Sequence, residues 1–179
     1  MPQFLEARIQ GREDMRSCFC FWRRQEGESV PIVTVETTVN APAEKVYELA
    51  KGVERFPEFM PEVESVKVLS REGSDTVTHW VGKIKEFNRT IEWTEQDHWF
   101  DDDMRCEFAQ VKGDFAVYKG TWAFCADPAG TFVSLHLEYD YHVPLIGALL
   151  NKVIFNKMTQ NCQNMLNALK AEAEKGAAA

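Results

Sequence analysis

The sequence predicts an α+β protein. The expected architecture is a curved antiparallel sheet of about seven strands, two short helices after the first strand, and a long C-terminal helix enclosing a hydrophobic cavity. Three observations lead there. First, Gly113-Asp114-Phe115 runs through Tyr118, Gly120, Trp122 and Phe124 to the turn Asp127-Pro128-Ala129-Gly130, and Thr131 to Val143 follows. That is a strand, a tight turn and a strand. Second, the segments upstream are short runs rich in Val, Thr, Ile and Trp, split by turn residues, as in an antiparallel meander. Third, Ile146, Leu150, Ile154, Met158, Cys162, Met165 and Leu169 recur at helical spacing. They form one apolar stripe, which must cover the apolar face of the sheet.

The elements follow in order. Residues 1–29 mix Arg, Glu, Gln and Gly without a sustained period and read as a flexible leader. The domain is expected over 30–174, with 175–179 a disordered tail. Ile32, Val33, Val35 and Val39, interleaved with threonines, form the first strand. Asn40 is expected to cap a helix carrying Pro42 in its first turn, Val46, Leu49 and Ala50 on its apolar face, and Gly52 at its end. Phe56-Pro57-Glu58-Phe59-Met60-Pro61 is too broken by proline for more than a turn of helix. Val63 to Leu69, Thr76 to Lys85, Arg89 to Phe100 and Met104 to Gln110 are the next strands, and Gly113 is expected to begin the sixth. The final helix runs from about Leu145 to Ala173. Its start, Leu145 to Phe155, is apolar nearly all round, so that end is buried on more than one side or faces a ligand.

A chain of 179 residues fits one domain with a sizeable core. The net charge is −8, and the first thirty residues balance five Arg against five Asp and Glu, so the acidic excess belongs to the domain. That disfavours nucleic acid as a partner, because phosphates call for a basic surface. The five cysteines form no CxxC pair and point to unpaired thiols in a reducing compartment. Cys18 and Cys20 lack a second pair to complete a metal clip. No apolar run reaches the length of a membrane span or a signal-peptide core, so the expected location is the cytoplasm. No cofactor motif is present: there is no Gly-rich phosphate loop and no G-x-S-x-G elbow.

Two constellations carry chemistry. His136, Glu138, Asp140 and His142 alternate along the seventh strand, and four such groups could ligate a metal. The opposite face carries Val133, Leu135, Leu137, Tyr139, Tyr141 and Val143, so the polar row reads as the solvated side, with no metal. On the fourth strand, Ile91, Trp93, Glu95 and Asp97 share one face. Facing inward, the two carboxyls would have raised pKa values and serve as general acid or base. The favoured alternative pairs them with Lys83, Lys85 or Arg105 across strands. The five Trp and twelve Phe serve equally as β-rich core or as pocket wall.

Ala41-Pro42-Ala43-Glu44-Lys45-Val46-Tyr47 resembles the first-helix signature of the START-like superfamily, whose element order is the helix-grip fold. Phe56 to Pro61 followed by Val66-Lys67-Val68-Leu69 is similar to the coenzyme Q-binding and polyketide cyclase/dehydrase branch. So are Gly113-Asp114-Phe115 with Gly120-Thr121-Trp122-Ala123-Phe124, and Pro144 to Leu150. The resemblance covers residues 31 to 172. It implies a hydrophobic small molecule (lipid, isoprenoid quinone or polyketide) held between sheet and long helix, by a carrier or sequestering protein. It also implies transient contact with a membrane or with respiratory or polyketide enzymes. The expected cavity wall is Phe59, Trp80, Trp93, Phe115, Trp122, Leu135, Leu137, Tyr139, Leu149 and Val153. The alternative is an aromatic polyketide cyclase/aromatase in which Asp97, Glu95 or Arg105 positions a chain for aldol closure and loss of water. The arginine pair that such cyclases direct into the pocket falls here on Asp97 and Ala109, and their pocket tyrosine on Val63. This departure favours the carrier, since an enolate calls for a cation or preorganised donors. A third reading is an interaction module with a small or collapsed cavity.

Overall fold

The computed structural model describes residues 30–84, 89–141 and 148–175. Strand β1 (Ile32–Val39) leads into helix α1 (Ala43–Lys51), a single 3-10 turn (Val53–Arg55) and the four-residue α2 (Phe56–Phe59). Six strands follow: β2 (Val63–Glu72), β3 (Asp75–Ile84), β4 (Arg89–Phe100), β5 (Arg105–Gly113), β6 (Val117–Asp127) and β7 (Gly130–Asp140). Helix α3 (Ala148–Glu174) ends the fold. The sheet order is β1-β7-β6-β5-β4-β3-β2, and every neighbouring pair is antiparallel. This is the helix-grip arrangement that the sequence predicts.

Alternation produces the inner face. In β7, Thr131, Val133, Leu135, Leu137 and Tyr139 are buried, while the intervening residues are half-exposed. The outer row is polar, as expected: His136 Nδ1 lies 3.1 Å from Thr34 Oγ1, and Glu138 pairs with Lys119 at 3.1 Å. His142 lies outside the described residues. Among those described, no group of three or more His, Cys, Asp or Glu is placed to hold a metal.

The hairpins are set by local chemistry. Gly73 takes φ 59° between β2 and β3, a left-handed conformation that costs glycine least. Asp127 Oδ1 accepts from the Ala129 N–H at 2.8 Å, closing the β6–β7 turn. Gly120 is required by proximity: a Cβ there would lie 2.1 Å from the His136 carbonyl oxygen and 2.6 Å from Phe108 Cζ.

Several boundaries differ from expectation. The N-cap of α1 is Pro42, with no side-chain cap. Asn40 instead donates its backbone N–H to Glu174 Oε1 at 2.8 Å, tying β1 to the end of α3. Gly113 ends β5 rather than starting β6, because the register shifts between Thr94 and Glu95, where Lys112 and Gln110 are their respective partners. The extra residue on β5 is a bulge that extends this strand.

Helix α3 packs against β1 and α1. Cys162, Leu166, Leu169 and Ala173 are its buried residues, whereas Ile154, Met158 and Met165 are only partly buried. Cys162 and Leu169 of the expected stripe are thus in place, while Leu166 rather than Met165 is the fully buried residue between them. Among the described residues, no helix is long and apolar enough to cross a membrane. Cys106 and Cys162 are buried free thiols, as expected. Cys125 is disulfide-bonded, a correction to the expectation of unpaired thiols. Spacing alone does not reveal which distant cysteines meet. The leader, with Cys18 and Cys20, lies outside the described residues.

Candidate functional site

The concave face of the sheet and the helices over it enclose a cavity of about 50 Å³. Each strand contributes the residues of one parity. β3 supplies Trp80, and β4 supplies Trp93, Glu95, Asp97 and Trp99. β5 gives Cys106 and Phe108, β6 gives Tyr118 and Trp122, and β7 gives Leu135 and Leu137. Ala50, Val53 and Phe56 close one end, and Cys162 and Met165 of α3 form the roof. The aromatic wall is ordered. Trp80 and Trp93 stack with centroids 5.7 Å apart and planes 5° apart. Phe56 meets Trp80 edge-on at 5.8 Å, and Tyr118 tilts against Trp93 at 5.5 Å.

Two carboxyls enter this wall. Glu95 and Asp97 are 6% and 5% exposed. Trp93 Nε1 donates to Glu95 Oε2 at 2.8 Å. Thr78 Oγ1 donates to Asp97 Oδ2 at 3.2 Å, and Trp80 Nε1 donates to that hydroxyl at 2.8 Å. Among the described residues, the expected cross-strand ion pairs with Lys83 and Arg105 are not formed. Lys83 pairs with Glu64; Arg105 pairs with Asp103 and Glu107 and lies over the Phe100 ring at 3.4 Å. Parity is the reason. Lys83 and Arg105 sit at odd positions on strands whose even positions point inward, so their stems leave by the other face. Lys85 lies outside the described residues.

Burial therefore sets the acidity of the pair. The Glu95 carboxyl is pushed well above the usual range, first by burial and then by the charge of Asp97; hydrogen bonds from Trp93 and Trp80 oppose the shift. Burial lifts Asp97 to about 7 against the opposing bond from Thr78. The Tyr118 hydroxyl and the Cys106 thiol are also pushed up by burial, so both stay neutral. An acid poised near neutrality beside one that keeps its proton can move a proton, or can anchor the polar head of a ligand.

The expected wall is only partly assembled here. Trp80, Trp93, Trp122, Leu135 and Leu137 line the cavity together with Glu95 and Asp97. Phe115 and Tyr139 are buried behind it, Phe115 against Trp93 and Tyr118. Phe59 packs behind Phe56 at 5.6 Å. Val153 is 41% exposed and is not part of the lining; an apolar run at a helix start does not reveal which side is covered. The Leu149 side chain lies outside what the structure describes. Arg105 is on the outer face. Of the positions aligned with the cyclase arginine pair, Asp97 faces the cavity, whereas Ala109 is exposed. Val63 is buried but is not part of the lining. Sequence reasoning missed Ala50, Val53, Phe56, Cys162 and Met165 on the helices and turn, and Trp99, Cys106, Phe108 and Tyr118 on the strands. On the strands the signal was present: each continues the parity of an inward residue already identified on its strand or a neighbouring one.

A family model described as polyketide cyclase/dehydrase and lipid transport matches residues 39–166. Proteins of Vibrio cholerae serotype O1 named ribosome association toxin RatA are 27% identical over 143 residues, covering 79% of this chain and 94% of theirs. The crystal structure of TTHA0849 from Thermus thermophilus superposes with a TM-score of 0.77 at 36% identity, covering 83% of this chain and 100% of that one. The Zhui aromatase/cyclase from Streptomyces sp. R1128 superposes with a TM-score of 0.72 at 19% identity, covering 83% of this chain and 96% of that one. At that identity, the last likeness concerns the fold.

Proposed function

Since the chain belongs to the polyketide cyclase/dehydrase and lipid transport family, we propose that it binds a hydrophobic small molecule between the sheet and α3, as a carrier or sequestering protein. The observation that carries this reading is the enclosed aromatic wall under α3, with Trp80, Trp93, Phe108 and Trp122 facing one space. A solid core would fill that space. The volume of about 50 Å³ holds a few water molecules, whereas sites for drug-sized ligands run to roughly 300–1,000 Å³. Uptake of a lipid, quinone or polyketide must therefore widen the gap between the sheet and the helix. Native mass spectrometry of the purified chain, before and after incubation with phospholipid vesicles containing a short-chain ubiquinone, tests the reading. An apolar adduct lost on organic extraction is expected. A chain that stays unliganded in both samples refutes it.

A second reading is supported by the buried pair Glu95 and Asp97, which has the proton chemistry of a general acid–base couple. In that reading the chain closes and dehydrates a poly-β-ketone. Turnover that falls by ~10²–10⁴ in Asp97→Asn would establish it. We favour the carrier because, among the described residues, the lining includes no cation to stabilise an enolate. Ribosome association belongs to the name of the Vibrio cholerae proteins. The charge of −8 on this chain disfavours a polyanionic partner, and sedimentation with purified ribosomes through a sucrose cushion would overturn that judgement.

A further inference from the structure

We propose that the cavity selects apolar ligands whose polar head donates hydrogen bonds, amines before alcohols, and rejects ligands that end in a carboxylate. The proposal rests on the ligand-binding reading above and adds the chemistry of the head group.

Its basis is the polar inventory of the wall. The carboxyls of Glu95 and Asp97 are more than nine-tenths buried and line the cavity. Three donors beside them are already committed: Trp93 Nε1 to Glu95, Thr78 Oγ1 to Asp97, and Trp80 Nε1 to Thr78. Asp97 thus uses Oδ2 and keeps Oδ1 for a further donor. The groups facing the pair from the surrounding elements are Thr78 and Trp80 on β3, Cys106 on β5, Tyr118 on β6 and Cys162 on α3. None is a cation, and burial keeps Cys106, Tyr118 and Cys162 in their neutral forms.

Such a site is rich in acceptors; the donors it offers a ligand are the neutral Tyr118 hydroxyl and the proton that Glu95 keeps, and among the described residues its lining holds no positive charge. A carboxylate head would bring a negative charge next to the ionised Asp97, with no counter-ion among the described residues of the lining, in a space where repulsion is little screened. An alcohol offers one donor to Asp97 Oδ1. An ammonium offers three donors and the missing positive charge. When it enters at pH 8, its positive charge meets the ionised Asp97 while Glu95 keeps its proton, and the buried charges cancel.

The experiment uses the full chain and a series with one hydrocarbon and three heads: octylamine, octanol and octanoate. Binding is followed by isothermal titration calorimetry at pH 8, with Trp fluorescence as a second readout. Octylamine is expected to bind at least tenfold more tightly than octanoate, with octanol between them. In Asp97→Asn, which keeps the shape and removes the charge, and in Glu95→Gln, which keeps the shape and removes the neighbouring acid, the amine-to-octanoate ratio should fall at least threefold while octanol changes little. Equal binding of octanoate and octylamine by the wild type overturns the proposal and leaves hydrophobic-ligand binding standing. A ratio unchanged in both folded variants overturns it too. Failure of all three molecules to bind overturns the ligand-binding reading and this proposal together. The wild-type ratio decides the matter even if the variants fold poorly.

Discussion

Replacing Asp97 with Asn should stabilise the protein at alkaline pH and leave it unchanged in acid. The carboxyl moves from 3.8, its ordinary value, to about 7 in the fold. At about 1.4 kcal/mol per tenfold change in acidity, ionising it inside the fold costs roughly 4 kcal/mol. The sign follows from proton uptake. Between those two values the folded state holds a proton that the unfolded chain has lost, so stability falls as pH rises from about 4 to about 7 and levels off above. Glu95, also raised, adds to the same trend. Asp75, Asp101 and Glu172 are held below their ordinary values by their partners, so their contributions are lost only at lower pH. The asparagine keeps an acceptor for the Thr78 hydroxyl and has nothing to ionise. At roughly 2–4 °C per kcal/mol for a chain of this size, the ceiling on the gain in Tm at pH 8 is about 8–16 °C. A gain above about 4 °C at pH 8 and below about 1 °C at pH 4 is expected. Thermal melts followed by circular dichroism across pH 4–8, on wild type and variant together, provide the check. A difference independent of pH, or a variant less stable at pH 8, refutes the buried unpaired carboxyl.

Three further outcomes follow from packing. Gly120→Ala should lower the urea midpoint strongly, by about 3 kcal/mol or more, because the new Cβ meets the His136 carbonyl on the neighbouring strand. Trp93→Phe removes the donor 2.8 Å from Glu95 Oε2 and should cost about 1–3 kcal/mol in the same assay. Leu137→Ala deletes a side chain that is 1% exposed on the cavity wall; a loss of about 2–5 kcal/mol is expected, with an unchanged denaturant m-value.

Much of the fold was legible because its strands follow a strict period of two. In β7 the inward row from Val133 to Tyr139 is apolar and the outer row polar, so a single strand identifies its own faces. β4 is different: Trp93, Glu95, Asp97 and Trp99 mix charge with aromatics, and parity alone leaves the choice of face open. It is settled by its neighbours, since Trp80 on β3 pairs with Trp93 and Cys106 on β5 pairs with Trp99. The cavity needs five strands in register at once, and the bulge near Lys112 moves one of them. The long helix announced its existence but not its rotation. Met165 and Leu166 are both apolar, and only packing decides that Leu166 is fully buried while Met165 roofs the cavity.

The sheet order also dictates when the fold can close. β1 is the first strand of the domain, yet its sheet neighbour is β7, and Thr34 meets His136 across 102 residues of chain. Every other pairing joins consecutive strands. The meander from β2 to β7 can zip up from local hairpins, whereas the β1–β7 seam must bring distant segments together and bears the largest loop-closure entropy. Until that seam forms, β7 has a bare edge and α3 lacks the strand it packs on. A lesion in β1 should then act mainly by speeding unfolding rather than by slowing folding. The first strand of the sheet is the last to be docked.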